Sequence, residues 1–354
     1  MADVTILDHP EGYPARDPGD MLGHIQALGR QVRDAFNAAR ALPLPVDTRE
    51  ARSVVLVGMG GSAIAAGLAA ALAEPLTTVP IVVQREYAVP NFVDANTLVI
   101  AVSYSGTSEE MLSAVNDAHK RGARLVAVTT GGELAERARA WGSPLYQFTY
   151  TSQPRAALGY TFGGLLGLLT QLGILPDPSA DLQEAEAVLG QLAREIGPGA
   201  PTTRNPAKKL ASELMGDFPV VYAAAHLVPV ARRWKAQFNE TSKSWAALDV
   251  FPELTHNSIA GFTHPPIAPE DVFVILLDSE LYHPRVRAAF APTLDLLAQA
   301  NIAEITIAAR GQSALAQQLG LVHFGDYVSY YLALLNDVDP TPTPAITYLK
   351  SKLG

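Results

Sequence analysis

Short runs of β-branched and aliphatic residues alternate along the chain with longer Ala- and Leu-rich segments, the pattern of a parallel sheet covered by helices on both faces. In the first half these runs predict strands at 53–57, 79–83, 97–102, 125–129 and 145–148. In the second half they predict strands at 219–222, 272–277 and 304–308, with a weaker one at 321–324. Helices fill the gaps, so the chain reads as two related α/β units, each a doubly wound parallel sheet with flanking helices. The expected organisation is a helical lead-in over 1–50 and a first α/β domain over 51–176. A helical connector over 177–215, a second α/β domain over 216–338 and a Pro-rich segment with a last helix over 339–354 complete it. Within these, helices are expected over 21–40, 180–195 and 345–352. The last follows Asp339-Pro-Thr-Pro-Thr-Pro344, whose prolines deliver the chain in extended form.

Two windows without charge, between Arg52 and Glu74 and between Arg155 and Asp177, are long enough to raise the question of a membrane span. Glycines interrupt both, and the second, with Gly159, Gly163, Gly164 and Gly167, is expected to be a buried helix. The first twenty residues carry acids, Pro and Gly where a secretory signal needs a basic start and an apolar stretch, so export by that route is not expected.

At 354 residues the length predicts about two globular domains. Lys and Arg number 26 against 35 Asp and Glu, a net charge of −9 that argues against a nucleic-acid footprint. Charged residues make up 17%, below the roughly 25% usual for soluble domains, and hydrophobic ones 48%, so much of the chain must be buried in core or interface. The absence of cysteine excludes a disulfide, a thiolate nucleophile, a Cys zinc site and an iron–sulfur cluster, and is compatible with the cytoplasm. The histidines lack the H-x-x-x-H and H-E-x-x-H spacings of a zinc site, and neither a metal nor another cofactor is expected.

Chemistry is concentrated where two strands of the first half run into loops of small polar residues before a helix. The first reads Gly58-Met-Gly-Gly61-Ser62, the second Ser103-Tyr-Ser105-Gly106-Thr-Ser108-Glu-Glu110. Such loops suit a phosphate: glycines let backbone N–H groups approach, hydroxyls donate hydrogen bonds, and a helix N-terminus supplies partial positive charge. Neither loop has the lysine of a P-loop, and Ala63 stands where a dinucleotide fingerprint needs its third glycine. The corresponding strand ends of the second half, Ala223-Ala-Ala-His226 and Asp278-Ser-Glu280, lack the pattern, which implies one phosphate site per chain.

The helical segment from Trp234 to Lys243 holds Glu240 and is followed by His256. A carboxylate and an imidazole near a phosphate site are what aldose–ketose isomerisation requires, one base to move a proton between adjacent carbons and another group to open the sugar ring. By spacing alone, Glu240 reads as an ordinary solvated helix glutamate and His256 as a satisfied turn histidine, since only a constellation of such groups carries weight.

Gly58-Met-Gly-Gly-Ser62, Ser103-Tyr-Ser-Gly106 with Glu109-Glu110, Pro154-Arg-Ala-Ala-Leu158, Asn239-Glu-Thr-Ser-Lys243 and Pro252-Glu-Leu-Thr-His-Asn257 occur in order. Together, over about residue 20 to the C-terminus, the chain resembles the bifunctional phosphoglucose/phosphomannose isomerases, two-domain members of the sugar isomerase (SIS) fold with flavodoxin-like subdomains. The resemblance implies that Gly61, Ser62, Ser103, Ser105 and Ser108 hold the substrate phosphate. It implies Arg155 beside the reacting carbons, where a fixed cation stabilises a cis-enediolate, and Glu240 as the proton-shuttling base. It implies that His256, lent in trans within a homodimer, assists ring opening, and that Lys350 lies near the ring oxygen and O1. Thr343, in preference to Thr341, is the implied residue for accepting mannose as well as glucose. The second loop departs from the family's commoner S-Y-S-G-N-T, with Thr107 and Ser108 at its last two positions, and so keeps a hydroxyl at 108.

The expected activity is a cytoplasmic, metal-free interconversion of glucose 6-phosphate, mannose 6-phosphate and fructose 6-phosphate, with neither nucleic acid nor membrane as partner. Two rivals share the fold: a regulatory protein that binds sugar phosphates, and an amino-sugar phosphate isomerase. The first has no need of Glu240, Arg155 and Lys350 together, and the glutaminase-linked form of the second needs a cysteine.

Overall fold

Nine strands, all paired in parallel, form two sheets in a computed structural model that describes residues 4–265 and 268–353. Residues 1–3 of the expected lead-in, 266–267 of the expected second domain and Gly354 of the final segment lie outside the described residues. One compact unit is Ala27–Glu186; the other comprises the described residues of Met1–Gln26 and Ala187–Gly354.

The first unit is built on β1 (Ser53–Val57), β2 (Ile81–Gln84), β3 (Thr97–Ser103), β4 (Arg124–Thr129) and β5 (Leu145–Gln147), in the order β2-β1-β3-β4-β5. That is the flavodoxin-like arrangement, and its strand order reverses between β1 and β3. β3 is buried over its whole length, as a central parallel strand must be. Val55, Val57, Val99 and Ala101 pack on one face against Met111, Val115 and Leu134 of the covering helices. The alternate residues Val54, Leu56, Leu98 and Ile100 are equally buried on the other face.

The charge-free window at 155–177 forms the buried helix Leu158–Gln171, and its glycines have a packing reason. A Cβ on Gly159, Gly163 or Gly167 would overlap Gln31, the Val32 carbonyl or the Phe36 carbonyl of helix Leu28–Arg40. The glycines recur every fourth residue and so share one helix face, along which the two backbones come into direct contact. No helix among the described residues is long and apolar enough to cross a membrane.

The second unit repeats the order with one strand fewer: β6 (Phe218–Ala224), β7 (Ala247–Phe251), β8 (Val272–Asp278) and β9 (Ala303–Ala308) run β7-β6-β8-β9. The weak strand expected at 321–324 does not form. Those residues lie inside helix Ala314–Leu335, of which every residue from Leu315 to Leu335 is buried. A helix buried on every side has no amphipathic period, so a β-branched and aromatic stretch within it mimics a strand. β7, in contrast, was not expected. It is half-exposed, with Asp249 in its middle, and carries little apolar signal. The expected helix over 21–40 divides at Ala27 into Met21–Gln26 and Leu28–Arg40, whereas the helices expected at 180–195 and 345–352 form as Ser179–Ile196 and Pro344–Leu353.

Candidate active site

In the first unit, β1 and β3 are neighbours, with Val57 opposite Ala101, so the loops that follow them emerge side by side at the carboxyl edge of the sheet where the strand order reverses. After β1 the chain passes through Gly58 and Met59 into helix Gly60–Ala73, with Gly60 in the left-handed region at φ 51°. Ser62 lies in the first turn of this helix and is buried.

Ser103 ends β3, and its Oγ accepts a hydrogen bond from the Gly106 N–H at 3.0 Å, curling the second loop back on itself. Gly106 has φ 68°, and a Cβ there would overlap the Gly131 carbonyl, so this turn tolerates only glycine. The Tyr104 carbonyl accepts from the Thr130 N–H at 3.1 Å and the Thr130 hydroxyl at 2.7 Å, while the Tyr104 hydroxyl donates to the Tyr150 and Ser152 carbonyls. Ser105 is held at the exposed tip, its Oγ accepting from the Thr107 hydroxyl at 3.0 Å. Ser108 is the N-cap of helix Glu109–Lys120, yet its side chain makes no capping bond, which leaves this hydroxyl unused by its own helix.

Arg155 arrives from the far end of the same unit. It sits in the short 3-10 helix Pro154–Ala157 and is 3% exposed, with its backbone against the first loop. The position a Cβ on Gly61 would take is 3.4 Å from both Arg155 Cα and the Pro154 carbonyl. The unit thus brings Gly61, Ser62 and Arg155 into one cluster and sets the hydroxyl loop of Ser103, Ser105 and Ser108 on the neighbouring strand end. A buried guanidinium and two hydroxyl-bearing loops suit a dianion with a developing oxyanion beside it.

In the second unit Glu240 is the last residue of helix Val228–Glu240. Arg233 of this helix forms a bidentate pair with Asp326 of helix Ala314–Leu335, at 3.0 and 2.8 Å, and the Trp234 indole donates to the Leu321 carbonyl at 2.8 Å. Past Glu240 the chain turns through Lys243 at φ 58°, whose ammonium caps the helix by donating to the Glu240 carbonyl at 2.7 Å. Asn239 accepts from the Ala246 N–H, the Ser242 hydroxyl donates to the Phe238 carbonyl, and Asn336 donates to the Ser242 carbonyl. The residues around Glu240 in the Asn239–Lys243 motif therefore fix the turn that presents it.

His256 ends the 3-10 helix Glu253–His256, directly after β7 and Pro252, and is exposed. Lys350 is on helix Pro344–Leu353, which has no buried residue. Among the described residues the side chains of His256 and Lys350 make no hydrogen bond or ion pair, and no such bond joins them. Thr343 stands at the start of that last helix, its carbonyl accepting from the Ile346 and Thr347 N–H groups, whereas Thr341 packs against Gly19.

The carboxyl edge of the second sheet is built differently. His226 Nε2 lies 3.0 Å from Gln317 Oε1, to which Ser279 Oγ also donates at 2.6 Å. The Tyr282 hydroxyl donates to the Leu277 carbonyl and accepts from the Ala224 N–H, and its ring lies edge-on to His226. These groups are buried and saturate one another, filling the place where the first unit has its hydroxyl loops. Burial pushes the His226 imidazole below its ordinary range, so the plug is neutral.

Two parallel sheets of like strand order, one with an open hydroxyl-lined switch point and one with it closed, define a two-domain protein of the SIS fold. The SIS domain model matches residues 48–142, and the model described as the bacterial phospho-glucose isomerase C-terminal SIS domain matches residues 203–353. The bifunctional phosphoglucose/phosphomannose isomerase of Caldicellulosiruptor bescii is 37% identical over 335 residues, 94% of this chain and 99% of that one. The enzyme of the same name from Aquifex aeolicus is 33% identical over 330 residues, 93% and 99% of the two chains. A hypothetical protein of Thermus thermophilus, 19% identical, superposes with a TM-score of 0.74 over 99% of this chain and 93% of its own, a likeness of fold. The chain belongs to the bifunctional phosphoglucose/phosphomannose isomerase family.

Proposed function

We propose that the chain is an aldose–ketose isomerase that interconverts glucose 6-phosphate, mannose 6-phosphate and fructose 6-phosphate through a cis-enediolate. Relatives of that name over nearly the whole chain support the reaction class. The observation that carries the reading is the contact of Gly61 with Arg155 on the sheet edge that also bears the hydroxyl loop.

In this reading Gly61, Ser62, Ser103, Ser105 and Ser108 hold the 6-phosphate, which does not react. Arg155 faces the C1–C2 end, where its guanidinium stabilises the enediolate oxygen. The Glu240 carboxylate takes a proton from C1 of the open-chain ketose and returns it at C2 for the aldose while the hydroxyl proton of O1 passes to O2 through the enediolate, and the reverse direction uses the same steps. Ring opening moves a proton between O5 and O1, work assigned to His256, contributed in trans within a homodimer, with Lys350 holding the same oxygens. Thr343 is assigned to tolerance of either C2 epimer. No cofactor enters this scheme, and the cytoplasm, where hexose phosphates are metabolised, is its assigned compartment.

Purified protein is assayed with each hexose 6-phosphate in the presence of EDTA. Formation of fructose 6-phosphate from both aldoses is the expected result, and the absence of any aldose–ketose interconversion overturns the reading.

A further inference from the structure

Helix Ser179–Ile196 and helix Pro206–Glu213 are joined by a loop that borders a cavity of about 680 Å³, within the range of small-molecule sites. Arg194, Arg204 and Lys209 line it, all exposed, in a chain whose net charge is −9. The one acid on its wall, Glu195, is bound to Arg310 at 2.6 Å.

The loop is braced from behind. Lys208, fully buried, donates to the Pro198 and Ala200 carbonyls at 2.9 and 2.8 Å, and Asp8 accepts from the Thr202 N–H and hydroxyl. The Gly197 carbonyl accepts from Asn205 Nδ2, and the Pro201 carbonyl from the Arg204 and Asn205 N–H groups. With four of its carbonyls committed in this way, the loop offers a ligand few acceptor oxygens; among the described residues the Arg204 and Lys209 side chains have no hydrogen bond or ion pair, while the Arg194 charge acts on Glu195. Asn205 Oδ1 already takes the Ala207 and Lys208 N–H groups, so attraction for an anion rests on side chains and not on the helix terminus. Ala193, Pro198, Pro201 and Pro206 add apolar wall, and the volume exceeds what an inorganic phosphate fills.

We infer that this cavity is a binding site for a phosphorylated organic metabolite carrying at least two negative charges. It uses none of the residues assigned to isomerisation and stands whether or not that assignment holds. Arg204 and Lys209 engage the charged end through charge-assisted hydrogen bonds, Arg194 adds its field, and the prolines meet the organic part.

Calorimetric titration of the full chain with ADP and with fructose 1,6-bisphosphate, at an ionic strength of about 0.05 M to limit screening, tests the site. The titrations are run on Ser103→Ala/Ser105→Ala protein, to exclude binding at the hydroxyl loops, and on the same protein carrying Arg204→Ala or Lys209→Ala. Saturable binding of at least one probe is expected, weakened about tenfold or more by either cavity substitution, with no binding of adenosine. Thermal melts show whether the exposed substitutions leave the fold intact. Absence of saturable binding by both probes overturns the inference, as does binding that Arg204→Ala and Lys209→Ala leave unchanged.

Discussion

The indole of Trp234 occupies the space that a side chain at Gly325 would need: a Cβ at 325 would overlap Nε1 and Cε2 of the ring. The helix that carries Glu240 is thereby seated directly on the backbone of helix Ala314–Leu335, one position from the Arg233–Asp326 pair. Gly325→Ala is expected to destabilise the fold by about 1–3 kcal/mol through overpacking, lowering the melting temperature by several degrees. An unchanged melting curve would show that the two helices separate at no cost.

Arg233→Ala leaves Asp326, 4% exposed, without its partner in the core. The expected loss is about 3–5 kcal/mol, because removing one member of a buried pair strands the other charge. Chemical denaturation measures it, and a loss below about 1 kcal/mol, the level of a surface pair, would contradict the burial described.

Glu240→Gln keeps size and hydrogen-bonding shape but removes the basic oxygen. A positioned general base contributes about 10²–10⁴-fold, so kcat is expected to fall by that factor while KM for fructose 6-phosphate changes little. Near-normal turnover would remove Glu240 from the reaction.

Ser103 and Ser105 separate two effects. The Ser103 hydroxyl holds the buried Gly106 N–H, so Ser103→Ala is expected to lower stability as well as raise KM. Ser105 is exposed at the tip, and Ser105→Ala is expected to raise KM about tenfold or more at unchanged stability, since a bond to a charged phosphate is worth about 1.5–3 kcal/mol. An unaltered KM in the double variant would refute phosphate binding by this loop.

If His256 acts in trans, inactive His256→Ala and inactive Glu240→Gln subunits regain activity when mixed. Random exchange makes about half the dimers heterodimers, each with one intact site of two, so recovery approaches about one quarter of the wild-type value. Verified exchange without recovery would return His256 to its own chain.

His323 supplies a pH dependence of stability. Burial lowers its imidazole from 6.5 to about 4, with the Asp326 charge opposing. Between these values the unfolded chain binds a proton that the folded chain does not, so stability is full above about 6.5 and falls as the pH drops toward 4. The loss amounts to about 3 kcal/mol at most. His323→Gln should flatten the melting temperature over that interval, and parallel profiles for the two proteins would count against the assignment.

Much of this architecture could be read in advance where local chemistry and tertiary environment agree. β1, β3 and β4 are β-branched runs bounded by turn residues, and buried parallel strands require that composition. The two loops were legible for the same reason, since glycine and hydroxyl clusters at strand ends have a local meaning. The segment Leu321-Val-His-Phe324 misled because its surroundings, and not its period, make it helical. Nothing local announces that Arg155 approaches Gly61, or that Gly325 makes room for Trp234, because both depend on segments distant in sequence. The plug of His226, Gln317, Ser279 and Tyr282 was equally hidden, its members lying on separate elements.

That plug changes what the second unit can become. Its crevice has the right topology for a ligand and is stoppered by the protein's own polar groups, so an intruding small molecule would have to displace four saturated partners at once. Trimming Gln317 to alanine would uncork it, leaving Ser279 Oγ and His226 Nε2 facing a vacancy of roughly side-chain size. Small amides such as acetamide, added to the solvent, could then refill the hole and restore the lost stability, a chemical complementation with no counterpart in the first unit.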